Sequence, residues 1–175
     1  MKGIIVYKSK YGSTKKYAEW IADETGYDCV ECGKVKTESI KEYDTLIFGG
    51  GLYASGIAGL SFLKKNTSAL EGKKVIAFCC GASPFDEKYF NEMKDYNMKD
   101  ELAKIPLFYC RGACRMEGMS FKDKTLCKML RKSLAKKEPK DLAVWEAALI
   151  EAVDTGNDWT DKEFVNPILQ ELSKS

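Results

Sequence analysis

The sequence predicts an α/β domain built as a doubly wound five-stranded parallel sheet, in strand order 2-1-3-4-5, with a C-terminal helical extension. Three observations predict it. Continuous apolar runs stand at GIIVY (3–7), TLIFG (45–49), KVIAFCC (74–80) and IPLFYC (105–110). They do not alternate with polar residues, so each reads as a strand buried on both faces. Segments of helical periodicity fill the gaps, strand and helix alternate five times, and right-handed crossovers leave few ways to wind such a chain.

The first strand, 3–7, hands over to a helix at 13–24, in which Tyr17, Ala18, Ile21 and Ala22 make one apolar stripe. YDCVEC (27–32) does alternate and suits an edge strand. A third strand at 45–49 ends in glycines, and 57–66 carries the next helix. The fourth, 74–80, leads to a helix over 86–103. The fifth, 105–110, leads to one over 122–137, whose Leu126, Met129, Leu130 and Leu134 form a core-facing stripe beneath a basic outer face. Residues 138–175 extend a core of 1–137, the whole making one domain of 1–175. Asn166 as N-cap and Pro167 at the first helical position mark the last helix. TDKE (160–163) before it has the capping-box pattern. Trp145 and Trp159 read as packing residues.

Composition narrows the class. With 45% hydrophobic and 31% charged residues, the chain has the make-up of an ordinary globular domain. No apolar run approaches the roughly 20 residues of a membrane helix. MKGIIVYKSK turns polar too early for a signal peptide, so a cytoplasmic location is expected. Seven cysteines without secretory context are expected as reduced thiols. Cys29 and Cys32 would point to opposite faces of an extended strand, and Cys79, Cys80 and Cys110 fill core strands as small hydrophobes. No metal site is expected; Cys114, on a loop, is the thiol to watch. The absence of histidine removes any Ser-His or Cys-His triad, so chemistry here falls to a cofactor.

In a doubly wound sheet ligands bind outside the carboxyl ends of the strands, which directs attention to loops 8–13, 49–56, 80–85 and 111–121. SKYGST (9–14) sets the hydroxyls of Ser9, Tyr11, Ser13 and Thr14 around Gly12 where a strand meets a helix. Free N–H groups and the helix dipole make that place attractive to an anion, although Ser13 and Thr14 also suit simple helix capping. Phosphate motifs can be tested by spacing. The loop has no Gly-Lys-Ser/Thr, the third strand ends in glycine rather than a phosphoacceptor aspartate, and no cysteine has an arginine six residues on. GGGLYA (49–54) fits G-x-G-x-x-A but comes after the third strand, and YASG delays any helix.

SKYGST resembles the FMN-phosphate loop of the flavodoxin family, S/T-x-S/T-G-x-T after the first strand. The match holds at Ser9, Gly12 and Thr14, with Ser13 a further donor and Lys10 within the loop; Tyr11 stands where the family carries a small hydroxyl residue. The resemblance spans 1–137 as an order of elements. It implies bound FMN, with Gly50, Gly51, Leu52, Tyr53 and Ala54 of GGGLYASG (49–56) against the isoalloxazine. Glycine lets backbone approach a flat ring and flip a peptide toward N5, and Tyr53 is the candidate for stacking. Gly81, Ala82 and Ser83 of CGASPFD (80–86) would hold the ring's pyrimidine edge through backbone groups; the aromatic such loops often carry is not obvious, although Phe85 is close.

The same resemblance implies an electron carrier or an FMN-dependent oxidoreductase of quinone or protoporphyrinogen type, with the flavin and no side chain as catalyst. Its partner would be a redox protein or a small acceptor such as a quinone, not nucleic acid. The net charge of +2 departs from acidic shuttle flavodoxins and favours the enzyme. Residues 122–137 hold seven basic residues and one acid. They read as a solvated face, a dock for an acidic partner or an anionic membrane surface, or a match for the nine acids and three lysines of 138–175. A competing class is a flavin-free interaction or metal-thiolate module.

Overall fold

The structure is a computed structural model that describes residues 2–174. Strands β1 (Gly3–Lys8), β2 (Asp28–Glu31), β3 (Thr45–Tyr53), β4 (Gly56–Ile57), β5 (Lys74–Gly81) and β6 (Leu107–Arg111) form one sheet. Its order is β2-β1-β3-β5-β6, parallel throughout, with β4 folded back antiparallel on β3. With that two-residue strand set aside, the order is the expected 2-1-3-4-5. A separate ribbon joins β7 (Ala113–Cys114) to β8 (Asn157–Asp158).

Strand side chains alternate between two cores, as a period of two requires. Ile4, Val6, Leu46, Phe48, Ala77 and Cys79 face one layer, closed by α2 (Thr37–Ile40), α3 (Ser61–Lys65), α4 (Thr67–Leu70) and α5 (Glu87–Asn97) through Ile40, Leu63, Leu70 and Met93. Ile5, Ile47, Ile76, Phe78, Cys80 and Cys110 face the other. There α1 (Ser13–Thr25) lays down Tyr17, Ala18 and Ile21 as its periodicity requires, and Gly26 at φ 71° ends it in the left-handed conformation. Cys29 joins this second core and Cys32 the first, although β2 ends at Glu31 and Cys32 opens a 3-10 turn rather than extending the strand.

Several expectations are corrected. Residues 57–66 are not one helix: the chain first forms β4, and α3 starts at Ser61. The helix expected over 86–103 stops at Asn97, before a 3-10 turn at Asp100–Lys104. The glycines 49–51 lie inside β3 rather than in a loop. A Cβ on Gly49 would strike the Phe78 ring, so the glycine there serves close packing. The turn itself is Ala54–Ser55, both at positive φ (48° and 66°), the backbone of a primed hairpin turn. Asn97 holds it, accepting from the Ile57 N–H at 3.0 Å and donating to the Ser55 carbonyl at 2.6 Å.

The largest correction concerns α6 (Phe121–Leu134). Leu134 is buried, but Leu126 and Met129 are 60% and 66% exposed, so the helix does not cover the sheet. That position belongs to α8 (Asn166–Ser173) and the 3-10 turn before it, whose Val165 and Ile168 enter the second core. Instead α6 packs on α7 (Val144–Thr155). Arg131 donates two hydrogen bonds to Asp154, at 2.9 and 2.7 Å, and Lys137 pairs with Glu146 at 2.7 Å. Part of the basic surface is thus matched by tail acids. At the tail, Asn166 is the first helical residue and not the cap. Asp161 caps the preceding 3-10 turn by accepting from the Glu163 N–H, while Thr160 bonds Asp158 at 2.6 Å. No helix among the described residues is long and apolar enough to cross a membrane.

Candidate functional site

Three strand ends converge on one cleft. β1 delivers residues 9–14 at the start of α1, where Gly12 (φ 97°) adopts a conformation that L side chains resist. Gly12 is also the N-cap, and no side chain caps the helix, so its first-turn N–H groups face outward without a built-in acceptor. Ser9 Oγ accepts from the Gly12 N–H at 3.1 Å and holds the turn. Ser13 Oγ accepts from the Ala113 N–H at 3.0 Å, joining the loop to β7. The hydroxyl of Thr14, itself buried, turns inward to the Cys80 sulfur. Burial pushes the Cys80 thiol up to about 12, against the opposing Thr14 contact.

The cleft, about 170 Å³, is lined by Ser9, Tyr11, Ser13 and Thr14, by Gly51, Leu52 and Tyr53, and by Cys80, Gly81 and Ala82. Gly112, Ala113, Cys114, Met119 and Asp123 close its far wall. Tyr53 crosses it. The ring lies against Gly51, edge-on to Tyr11 at 6.4 Å, and its hydroxyl accepts from the Lys10 amide. Desolvation raises the Tyr53 hydroxyl above its ordinary value, with that amide opposing. Asp123 takes the Lys10 ammonium at 2.5 Å and the Tyr11 hydroxyl; these two bonds, Lys10 first, hold its carboxyl below the usual aspartate range.

A second chamber, about 580 Å³, continues the first through the shared walls Leu52, Gly81 and Ala82. It adds Ala54, Ser55 and Ser83 from the strand ends, Tyr89 and Glu92 from α5, and Leu130, Trp145 and Leu149 from α6 and α7. Loop 81–83 is braced from behind. Its carbonyls accept from the Gly112 N–H at 2.7 Å, Arg111 Nε at 3.2 Å and the Tyr109 hydroxyl at 2.6 Å. Gly81 closes the parallel β5–β6 ladder, which leaves the N–H groups of Ala82 and Ser83 as what this loop offers a ligand.

The fold therefore brings together Ser9, Tyr11, Ser13, Thr14, Gly51, Leu52, Tyr53, Gly81 and Ala82. Ala54 and Ser83 line only the second chamber, and Lys10 and Gly12 a neighbouring cleft of about 680 Å³ that shares Tyr11, Ser13, Ala113 and Met119 with the first. Gly50 lies apart: a Cβ there would strike Ile57 and the Ala58 carbonyl, so it packs under β4. Phe85 is 56% exposed and clusters with Phe90 and Tyr109, away from both chambers. Gly112 and Met119 lie in loop 111–121, which the sequence places at this edge without singling them out, whereas Asp123 and the α7 side chains carry no local signal of where they return. The rival fingerprint GGGLYA fails, since its glycines are strand interior and no helix opens there.

The flavodoxin domain family matches residues 4–141. The chain belongs to the flavodoxin-domain family. An uncharacterized protein of Methanocaldococcus jannaschii is 31% identical over 114 residues, which span 64% of this chain and 76% of the relative. Among solved structures, a flavodoxin from the domain Archaea has 22% identity and a TM-score of 0.45, over 74% of this chain and 92% of that one. The two-electron reduced Megasphaera elsdenii flavodoxin has 18% identity and a TM-score of 0.44, over 61% of this chain and 82% of that one. Membership supports a flavin-binding redox protein in general. The matched flavodoxin segment ends before α7, so the side chains that α7 places at the second chamber lie outside it.

Proposed function

We propose that this protein binds FMN non-covalently and works as a cytoplasmic electron carrier or FMN-dependent oxidoreductase. The observation that carries the reading is the uncapped start of α1 behind β1, opening on a cleft that residues of the second and third loops also line. The donor set fits the ligand. First-turn N–H groups and the Ser9 and Ser13 hydroxyls suit a phosphate. The backbone of 51–54, leading into the hairpin turn, and the N–H groups of Ala82 and Ser83 suit the polar edge of a flat ring. Bound there, FMN supplies one- or two-electron transfer.

The residues of this chain bind, orient and screen. Gly12 admits the phosphate without a Cβ, the Asn97-held hairpin fixes one wall, and Arg111 and Tyr109 fix the other. Tyr53 must swing from Gly51 to become a stacking partner, exchanging its Lys10 contact for the ring. The basic rim suits an anionic partner: Lys122, Lys128, Lys132 and Lys136 have no ion pair among the described residues and surround exposed Phe121, Leu126 and Met129.

Flavin titration of the purified protein tests this. Yellow protein that releases FMN on denaturation is expected. Gly12→Glu, which sets a carboxylate at the helix start, should weaken FMN at least 100-fold and riboflavin less than threefold, estimates of about 2.7 and 0.6 kcal/mol. Equal loss for both ligands means that 9–14 is not the phosphate loop. Colourless protein that binds zinc instead supports the flavin-free module.

A further inference from the structure

The 580 Å³ chamber has a floor and a roof from different parts of the chain. The floor is Leu52, Ala54, Gly81, Ala82 and Ser83, the ends of β3 and β5. The roof is the α6–α7 hairpin, through Leu130, Trp145, Ala148, Leu149 and Ala152. Trp145, Ala148, Leu149 and Ala152 have helical spacing and share one face of α7. Tyr89 and Trp145 are the aromatic residues among the chamber's lining, and loop 81–86 contributes no ring because Phe85 packs elsewhere.

The roof is fastened. Asp123 ties α6 to Lys10 and Tyr11 of the phosphate loop, the Arg131–Asp154 fork and the Lys137–Glu146 pair tie α7 to α6, and β7–β8 returns the chain to the cleft wall. The chamber's volume is within the roughly 300–1,000 Å³ of small-molecule sites, and the 170 Å³ cleft beside it is below that range. The two are continuous through Leu52, Gly81 and Ala82.

We propose that the α6–α7 hairpin is the roof of the flavin-ring site, with Trp145 and Leu149 covering the ring face that the third loop leaves without an aromatic. This rests on the FMN reading above. An indole beside a flat heteroaromatic ring gains offset-stacking energy in addition to buried area. The contact involves the ring alone, so it is shared by FMN and riboflavin.

That shared dependence provides the test. In a W20F/W159F protein Trp145 is the sole tryptophan, and its fluorescence is expected to be quenched on titration with FMN and with riboflavin. Trp145→Ala should weaken both flavins by about tenfold, and Trp145→Phe should restore most of the loss. Circular dichroism checks that the alanine variant keeps its helices; if it does not, the quenching measurement decides. Unquenched Trp145 emission at saturating flavin, or unchanged affinity in a folded Trp145→Ala, overturns the roof while leaving the phosphate loop intact. Failure of the wild type to bind either flavin overturns both.

Discussion

At the scale of residues, Asp123 is the least expected member of the site. A carboxylate beside an anion-binding helix start repels a phosphate, yet here it binds Lys10 and Tyr11 of the loop itself. Its lowered pKa fixes the sign of its pH dependence. The folded carboxyl ionises more readily than in the unfolded chain, so its stabilising contribution is full above the ordinary aspartate value near 3.8 and is lost as pH falls through the folded value. The stability difference between wild type and Asp123→Ala should therefore hold steady from about pH 5 to 8 and close below about pH 4. Denaturant melts at each pH measure it, and a gap that widens in acid would contradict the pairing. Ser9, Gly12 and Ser13 were legible as a loop from their types and order; Asp123 was not, since it lies more than a hundred residues away in the chain.

At the scale of elements, α6 and α8, two of the three helices after β6, separate by what they touch. α6 has the apolar content of a core helix, but Leu126 and Met129 face solvent; α8, shorter, sends Ile168 into the sheet at 0% exposure. Ile168→Ala should cost about 2–5 kcal/mol by cavity formation, whereas Leu126→Ala should stay within about 0.5 kcal/mol. Urea unfolding of the two variants checks the pair, and comparable losses would show α6 buried in the native protein. In the sequence α6 showed as an apolar stripe and α8 as the Asn166–Pro167 start signal. Neither signal ranks them, because an apolar stripe shows that a face can be buried without naming the surface that buries it.

At the scale of the whole molecule, the thiols record the two-core architecture. Cys79 and Cys80 are neighbours in the chain yet enter opposite cores, and burial raises the pKa of both. Cys110 joins Cys80, and its thiol is also pushed well up by burial. Native protein treated with iodoacetamide at pH 8 should be modified first at half-buried Cys29, Cys32 and Cys127, with Cys79, Cys80 and Cys110 reacting only after unfolding. Mass spectrometry of the alkylated peptides reads the order. Early labelling of Cys79 would mean that the sheet opens far more readily than its packing implies.

Local chemistry in the chain determined the strands of the parallel sheet and the first loop, and the right-handed crossover rule then favoured the strand order. Uninterrupted apolar runs, a helical stripe on 13–24 and a glycine at a strand-to-helix turn each act over fewer than a dozen neighbours. Tertiary structure alone decided the rest: that glycines 49–51 pack inside a strand, that Asn97 pins the hairpin, and that residues 121–155 leave the sheet to stand over the cleft. Those outcomes arise from competition. α8 and α6 both carry apolar faces, only one can occupy the open side of the sheet, and the displaced helix takes its cover from α7 and carries Trp145 to the site.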